Sequence, residues 1–175
     1  SPEADRRTLI RRLAFDLTRG KVDTDVLLAW LRLPRQASWV NQDWLRRQQR
    51  AGEVFVAEQG TGYGLPETES GTDLLRSCLE KLFVDAGSFD VYAEYVDRAW
   101  LSRVFAETKI LSGIGDMQQW YAMIGSPAYY EQLRDRVEIA FPRTAKTEFG
   151  LGDKVALDVD VKNVKTLIVK VFEID

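Results

Sequence analysis

The sequence predicts an α+β protein that is mainly helical over residues 5–135 and ends in a small antiparallel sheet over residues 136–175. Two patterns support this fold class. Apolar residues recur every three or four positions through the first part, which is the period of an amphipathic helix. From Lys154 to Lys162 they recur at every second position, which is the period of a strand. Helices followed by strands, without alternation, are typical of α+β proteins and not of parallel-sheet proteins.

Several of the expected helices have a recognisable start or stop signal. Thr72-Asp73 and Ser126-Pro127 are favourable N-terminal caps, whereas Gly20 and Pro34 end the first two helices. We expect helices over residues 5–17, 24–33, 38–50, 72–83, 88–111, 116–124 and 127–134. Residues 53–57 are expected to form a short strand or, as the alternative, an apolar loop. Their apolar stripes predict a core that contains Leu9, Leu13, Trp30, Trp44, Leu79, Trp100 and Trp120.

The last part of the chain contains two strand-like runs. In the first, the alternate residues from Val155 to Val161 share one apolar face, and the other face carries charged residues and Ala156. The second run, Thr166–Ile174, is apolar on both faces, so it requires cover on both. We expect the two runs to form an antiparallel hairpin across Lys162–Lys165, with Val137–Phe141 as a third strand.

The chain is expected to divide into a helical domain of residues 1–135 and a β segment of residues 136–175 that begins a β-sandwich. A bare strand edge beside apolar side chains recruits other strands. We therefore expect Val169–Phe172 to pair with another copy or to be covered by further residues of a longer protein. The expected partners are the remaining domains of a parent chain, or another protein, at this C-terminal strand edge. The opening SPEADRR, without an initiator Met, agrees with a piece excised from a longer protein.

The composition excludes several kinds of catalytic site. The chain has no histidine, and Cys78 is its one cysteine. Imidazole acid–base catalysis, Ser-His and Cys-His nucleophile pairs, an internal disulfide and thiolate metal clusters are therefore excluded. No catalytic motif is recognisable, so the sequence favours a protein without enzyme activity, and we expect neither a cofactor nor a metal site.

The charge is distributed unevenly. Residues 1–50 carry a net charge of +5 and residues 51–175 a net charge of −8, which together give the −3 of the chain. The arginines of the first part could contact nucleic acid, but the pI of about 5.2 and the lack of interleaved aromatic residues favour a solvated or acid-paired face. No apolar run reaches the ~20 residues that a membrane-spanning helix needs. We expect neither nucleic acid nor membrane insertion.

The Gly60–Gly71 loop is the place where a ligand site could lie. Its Gly60-x-Gly62-x-Gly64 spacing departs from a dinucleotide fingerprint, and no phosphate-binding lysine follows. The alternative to a non-catalytic segment is a ligand- or carbohydrate-binding or hydrolytic domain. Its site would lie near this loop and be lined by aromatic residues and carboxylates, with Tyr63 and Arg76 as candidate residues. The five tryptophans could serve the same purpose, but their places in helical stripes favour the core.

Two stretches carry resemblances to known families. The segment DRRTLIRRLAFDLT, residues 5–18, resembles a helix of large, uncharacterised bacterial extracytoplasmic proteins of the DUF1549 type. The tail from Val137 to Ile174 resembles the opening strands of a macroglobulin-type or immunoglobulin-like β-sandwich. Together these resemblances imply a bacterial, periplasmic or cell-surface, multi-domain protein. On this basis we expect a non-catalytic structural or protein-interaction segment of such a protein.

Overall fold

The structure, a computed structural model, describes residues 2–53, 56–57, 71–141, 149–170 and 172. It confirms the predicted α+β class with a helical N-terminal part. The helices are α1 (Pro2–Thr18), α2 (Thr24–Leu31), α3 (Gln42–Arg50), α4 (Gly71–Phe83), α5 (Arg98–Ser112), α6 (Met117–Ile124) and α7 (Pro127–Asp135), with one 3-10 turn at Asp90–Tyr92. The strands are β1 (Arg35–Gln36), β2 (Val56–Ala57), β3 (Glu138–Ala140) and β4 (Asp160–Lys162). The division of the chain at residue 135 stays a prediction.

Side-chain caps set the starts of most helices, because the first backbone amides of a helix have no partner within it. Asp23 accepts hydrogen bonds from the amides of the first turn of α2, Asn41 does so for α3, and Asp116 for α6. Ser126 caps α7 ahead of Pro127, as the sequence predicts. Glycines with positive φ follow α5 and α6, where a left-handed residue ends the helix.

The predicted helix over residues 88–111 is wrong in its first half, since α5 begins only at Arg98 behind the cap Asp97. The preceding backbone is hydrogen-bonded to another part of the chain. The Asn41 side-chain amide donates a hydrogen bond of 2.7 Å to the Ala93 carbonyl, and the Asn41 backbone amide donates to the Tyr95 carbonyl. The Asp97 amide donates in turn to Trp39. These carbonyls and amides cannot also make the i to i−4 bonds of a helix. The same contacts delay α3, which starts at Gln42 and not at residue 38.

The core is a continuous apolar cluster with α5 at its centre. Helix α5 packs on α4, α6 and α7, and α1 packs on α2 and α4. Of the seven predicted core residues, five are buried: Leu13, Trp30, Trp44, Leu79 and Trp120. Leu9 and Trp100 are only partly buried and pack against the margin of the cluster. Trp39 is buried as well, so core packing, and not a ligand platform, accounts for four of the five tryptophans.

Two short sheets complete the described fold. β1 and β2 pair in parallel, with Arg35 opposite Val56. The β2 strand lies within the predicted residues 53–57, whereas β1 was not predicted. In the second sheet, β3 and β4 are antiparallel, with Ile139 opposite Val161. The predicted third strand is therefore the actual partner of the first strand-like run.

The predicted hairpin is wrong. Residues 163–170 and 172 include no strand, although Asn163 does adopt the left-handed conformation (φ 54°) that was expected of the link. The large apolar residues of this segment, Ile168, Val169 and Phe172 among them, are exposed. A segment that is apolar on both faces needs cover on both to form a stable strand, and no described element provides it. That another copy or a further segment covers this edge stays a prediction.

We expect a large stability loss when the centre of the core is truncated. Leu79 is fully buried on α4, so Leu79→Ala should lower the free energy of unfolding by about 2–5 kcal/mol. Leu151→Ala is the matched control, because Leu151 is fully exposed, and it should change stability by less than about 0.5 kcal/mol. Urea unfolding followed by circular dichroism measures both. Equal losses would contradict the assignment of the core.

Candidate interaction surface

The β3–β4 ribbon, residues 137–141 with residues 160–163, is attached to the helices on one side. The Lys162 ammonium donates hydrogen bonds of 3.1 Å to the carbonyls of Ile110 and Leu111, in the last turn of α5. A cation at this position also interacts favourably with the negative end of the helix dipole. Burial lowers the pKa of Lys162, and the nearby Glu138 carboxylate offsets part of that effect. The lysine therefore holds β4 against the C-terminal end of α5.

A second attachment joins the ribbon to α7. The Asn163 side-chain amide donates to the carbonyl of Arg134 at 2.8 Å and to that of Arg136 at 3.0 Å. Both carbonyls lie where α7 ends and the chain turns into β3, so they would otherwise lack a helical partner. One asparagine thus fixes the end of β4 to the beginning of β3.

The other side of the ribbon is apolar and exposed. Val137, Ile139 and Phe141 alternate along β3 and its flanks, so they share one face, and they are 69%, 53% and 65% exposed. Val161, the register partner of Ile139, adds to the same face and is 52% exposed. We call these four residues the outer face. Soluble proteins seldom expose adjacent large apolar side chains in this way unless another molecule covers them.

A buried ionic cluster holds the helices that carry this ribbon. Glu107 of α5 is 2% exposed and accepts hydrogen bonds from Arg76 of α4 and from the Tyr129 hydroxyl of α7, the latter at 2.8 Å. Arg76 also pairs with Glu80 at 2.8 Å. One carboxylate therefore links three helices. Because α7 leads directly into β3, the cluster also sets where the ribbon begins.

The cluster shifts the pKa of its members. Burial alone would lower the pKa of Arg76, but the hydrogen bond and charge of Glu107, together with those of Glu80, outweigh it and raise that pKa. Burial raises the pKa of Tyr129, and the hydrogen bond to Glu107 and its negative charge add to the effect. Both shifts favour the protonated forms, which are the forms that donate to Glu107.

Of the two predicted site residues, Tyr63 and Arg76, the structure describes only Arg76. Tyr63 and the rest of Gly60–Gly64 lie outside the described residues, and so does the Gly60–Gly71 loop up to residue 70. Arg76 is described, and its guanidinium is engaged by Glu107 and Glu80. A ligand site at Tyr63 and Arg76 therefore stays a prediction.

Several other polar side chains have structural roles among the described residues. Asp97 caps α5, and Glu94 lies 4.0 Å from Arg47. Burial raises the pKa of the Cys78 thiol to about 12, so it is a poor nucleophile.

An open groove of about 500 Å³ between α1 and α2 is lined by Arg12, Asp16, Lys21, Val22 and Asp23, without an aromatic residue. No described helix has the length and apolarity to cross a membrane.

Sequence reasoning missed Glu107 and Lys162. Glu107 falls in the stripe that runs through Trp100, Val104 and Leu111, at helical spacing. A charge inside an apolar stripe was a usable sign of a buried, paired carboxylate. Lys162 had no such sign, because it meets the end of α5 only through the fold.

Comparison with known proteins decides the family. Residues 6–137, more than half of the chain, match the family model described as the Actin-binding protein F N-terminal domain. The chain belongs to this family. It is also 29% identical over 163 residues to Actin-binding protein F of Dictyostelium discoideum, an alignment that covers 93% of this chain and 7% of that protein. No solved structure matches.

This family membership corrects part of the expectations. The resemblance to bacterial DUF1549-type and sandwich proteins is wrong, and so is the extracytoplasmic location that it implied, since the family and the relative are those of an actin-binding protein. The expected likeness to uncharacterised proteins is not supported either, since the matching family model carries a functional description. The expected role as a structural or protein-interaction segment agrees with the family.

Removal of Arg76 should test the buried ion pair. Breaking a buried pair by deleting one partner costs about 3–5 kcal/mol, and because the Arg76 side chain keeps 40% exposure we expect about 2–3 kcal/mol for Arg76→Ala. Adding Glu107→Gln should recover part of this loss, since no charge then remains buried. Glu80→Ala, which removes a partly exposed partner, is the control and should cost less than about 1 kcal/mol. A double variant less stable than Arg76→Ala would contradict the ion-pair role.

The Tyr129–Glu107 contact should show in the alkaline range. The pKa of Tyr129 is raised in the folded protein, so its contribution is fully present below the ordinary value of 10 and is lost as pH rises through the higher folded value. Because Tyr129 is 36% exposed, Tyr129→Phe should cost only about 0.5–1.5 kcal/mol at pH 7, and its difference from the native chain should shrink above pH 10. Tyr121→Phe, which keeps the ring contact with Tyr130, is the control. A difference that stays constant between pH 7 and pH 11 in urea unfolding would contradict the contact.

Proposed function

We propose that this chain is a non-catalytic protein-interaction domain that binds actin through the outer face of the β3–β4 ribbon. The observation that carries the proposal is that outer face: four large apolar side chains, each more than half exposed, on a ribbon whose opposite side is anchored to the helices. The name of the family and of the Dictyostelium relative supports actin as the first partner to test.

The chemistry of the described residues supports binding and not catalysis. Glu107 is buried, and its carboxylate forms an ion pair with the Arg76 guanidinium. Among the described residues no group of His, Cys, Asp and Glu is arranged to hold a metal ion. The outer face carries no titratable group, so what it offers is apolar area. Such area is the main source of affinity at protein interfaces.

Rigidity of the ribbon supports the same proposal. A preorganised surface loses less conformational entropy on binding than a flexible one. Lys162 and Asn163 fix β4 by hydrogen bonds to α5 and to the end of α7, and Glu107 fixes α7. The outer face is therefore presented by a short strand pair with anchored ends.

A second candidate partner is a neighbouring domain of the same longer protein. This chain spans only about 7% of the length of its Dictyostelium relative, so actin binding by that relative can reside in other parts of it. In that case the outer face would be an intramolecular contact surface. Hydrogen exchange distinguishes the two, since the amides of residues 137–141 would become protected in a longer parent protein without actin.

Actin binding should be lost when the outer face is made polar. In co-sedimentation with filamentous actin we expect Ile139→Ser combined with Phe141→Ser to weaken binding by about tenfold or more, because interface truncations of this kind cost about 1 kcal/mol or more each. Both side chains are exposed, so the fold should be retained.

Phe15→Ser provides the matched control. Phe15 is 58% exposed, similar to Ile139, but lies on α1, which packs on α2 and α4. It should leave sedimentation unchanged. A native chain that does not sediment with actin would reject actin as the partner. Equal weakening by Phe15→Ser would reject the outer face as the contact.

A further inference from the structure

Residues 154–159, immediately before β4, have the alternating sequence of a strand but are not paired with a strand among the described residues. Val155 and Leu157 are 67% and 57% exposed, and so are Ala156 between them and the charged Lys154 and Asp158 beside them. Asp153 donates its amide to Gly150, and regular pairing resumes only at β4. Among the residues that the structure describes, the backbone of residues 154–158 makes no hydrogen bond to another segment. Unpaired backbone beside alternating apolar side chains is a template for another strand.

We propose that a second copy of this chain pairs with this segment as an antiparallel strand, with Leu157 opposite Leu157 of the second copy. The proposal concerns the edge of the strand, whereas actin binding concerns the outer face, so it does not depend on the proposed function.

The charges of the segment are self-complementary in this register. Lys154 of each copy lies opposite Asp160 of the other, which gives two opposite-charge cross-strand pairs. On the other side of the strand, Val155 lies opposite Val159, again twice, with the two Leu157 side chains at the centre. Opposite-charge pairs and apolar cross-strand pairs are the contacts that stabilise an antiparallel pair.

The three neighbouring registers are less favourable, for different reasons. A register centred on Ala156 also makes two opposite-charge pairs, Lys154 with Asp158, but it has two apolar pairs where the Leu157 register has three, and it leaves Asp160 opposite Gly152. A register centred on Asp158 places the two Asp158 carboxylates opposite each other and Lys154 opposite Lys162. A register centred on Val159 places Asp158 opposite Asp160, twice. Like charges directly opposite each other destabilise a strand pair. The sequence therefore favours a two-fold axis at Leu157, which is the isologous arrangement of most homodimers.

The pairing leaves the other surfaces of the ribbon in place. β3 already occupies one edge of β4, so the second copy takes the opposite edge. Because alternate residues share a face, Val155, Leu157 and Val159 lie on the same side as Val161. Dimerisation would thus extend the outer face across both copies. A dimer would present two such faces, which increases avidity for a repetitive partner without any new contact.

Charge reversal gives the sharpest test. We expect the native chain to dimerise in sedimentation equilibrium at rising concentration, and we expect Lys154→Asp or Asp160→Lys alone to weaken association by about tenfold or more, since each turns both opposite-charge pairs into like-charge pairs. An equimolar mixture of these two single variants should form a heterodimer, because its charges are again complementary. The double variant Lys154→Asp/Asp160→Lys should dimerise like the native chain. Circular dichroism checks that all variants keep the helical fold.

A disulfide test locates the two-fold axis. Leu157→Cys should cross-link the dimer under oxidised glutathione, because opposite residues of an antiparallel pair have Cα atoms about 4.5–5.5 Å apart, within disulfide range. Val155→Cys is the control and should not cross-link, since its two copies would lie about 13 Å apart along the strands. The buried Cys78, with its raised pKa, should not contribute.

Three results would overturn the proposal. The first is a native chain that stays monomeric at high concentration. The second is a dimer that both single charge reversals leave intact, since the contact would then lie elsewhere. The third is cross-linking by Val155→Cys in preference to Leu157→Cys, which would place the axis at another residue.

Discussion

The arrangement of the helices depends on one buried carboxylate. Glu107 lies on the central helix α5 at 2% exposure, where an unpaired charge would cost several kcal/mol, of the order found for isolated buried ions. It is tolerated because Arg76 of α4 and Tyr129 of α7 both donate to it. Each donor comes from a different helix, so the carboxylate is satisfied only when both helices are docked. The pair therefore adds specificity for one packing arrangement, beyond what the apolar core requires.

A second kind of polar contact, in which a side chain of one element satisfies the end of another, connects the core to the surface. Lys109, next but one to Glu107, donates to the Val84 carbonyl just after α4 at 2.8 Å. Lys162 does the same for the last turn of α5. Helix C-termini carry carbonyls without partners and a partial negative charge, so lysines suit both sites. These contacts connect α4 to α5 and α5 to β4, and so relate the position of the ribbon to the core.

Local signals predicted the helices well, whereas long-range contacts decided the rest. Caps such as Ser126-Pro127 and apolar stripes are properties of adjacent residues, and they gave α1, α2, α4, α6 and α7 nearly as found. The break before α5 was not predictable in this way, because Asn41 and Trp39 hydrogen-bond the backbone there from more than fifty residues away. The outer face was foreseen only in part: Val137–Phe141 was expected as a strand, but Lys162 and Asn163, which orient it, act through tertiary contacts. The bacterial resemblance failed because fourteen residues of helix pattern carry little family information.

The ribbon shows how a strand can separate three tasks. Successive residues point to opposite faces, so Lys162 can reach the end of α5 while its neighbour Val161 faces away from the helices. The backbone groups lie in a third direction, within the plane of the sheet, and one edge of β4 is already used by β3. Anchoring, apolar contact and edge pairing therefore use different groups of the same few residues and need not compete. A helix of equal length could not do this, because its backbone groups are satisfied internally and offer no edge. This is a physical reason for a mainly helical chain to carry its exposed apolar surface on a strand.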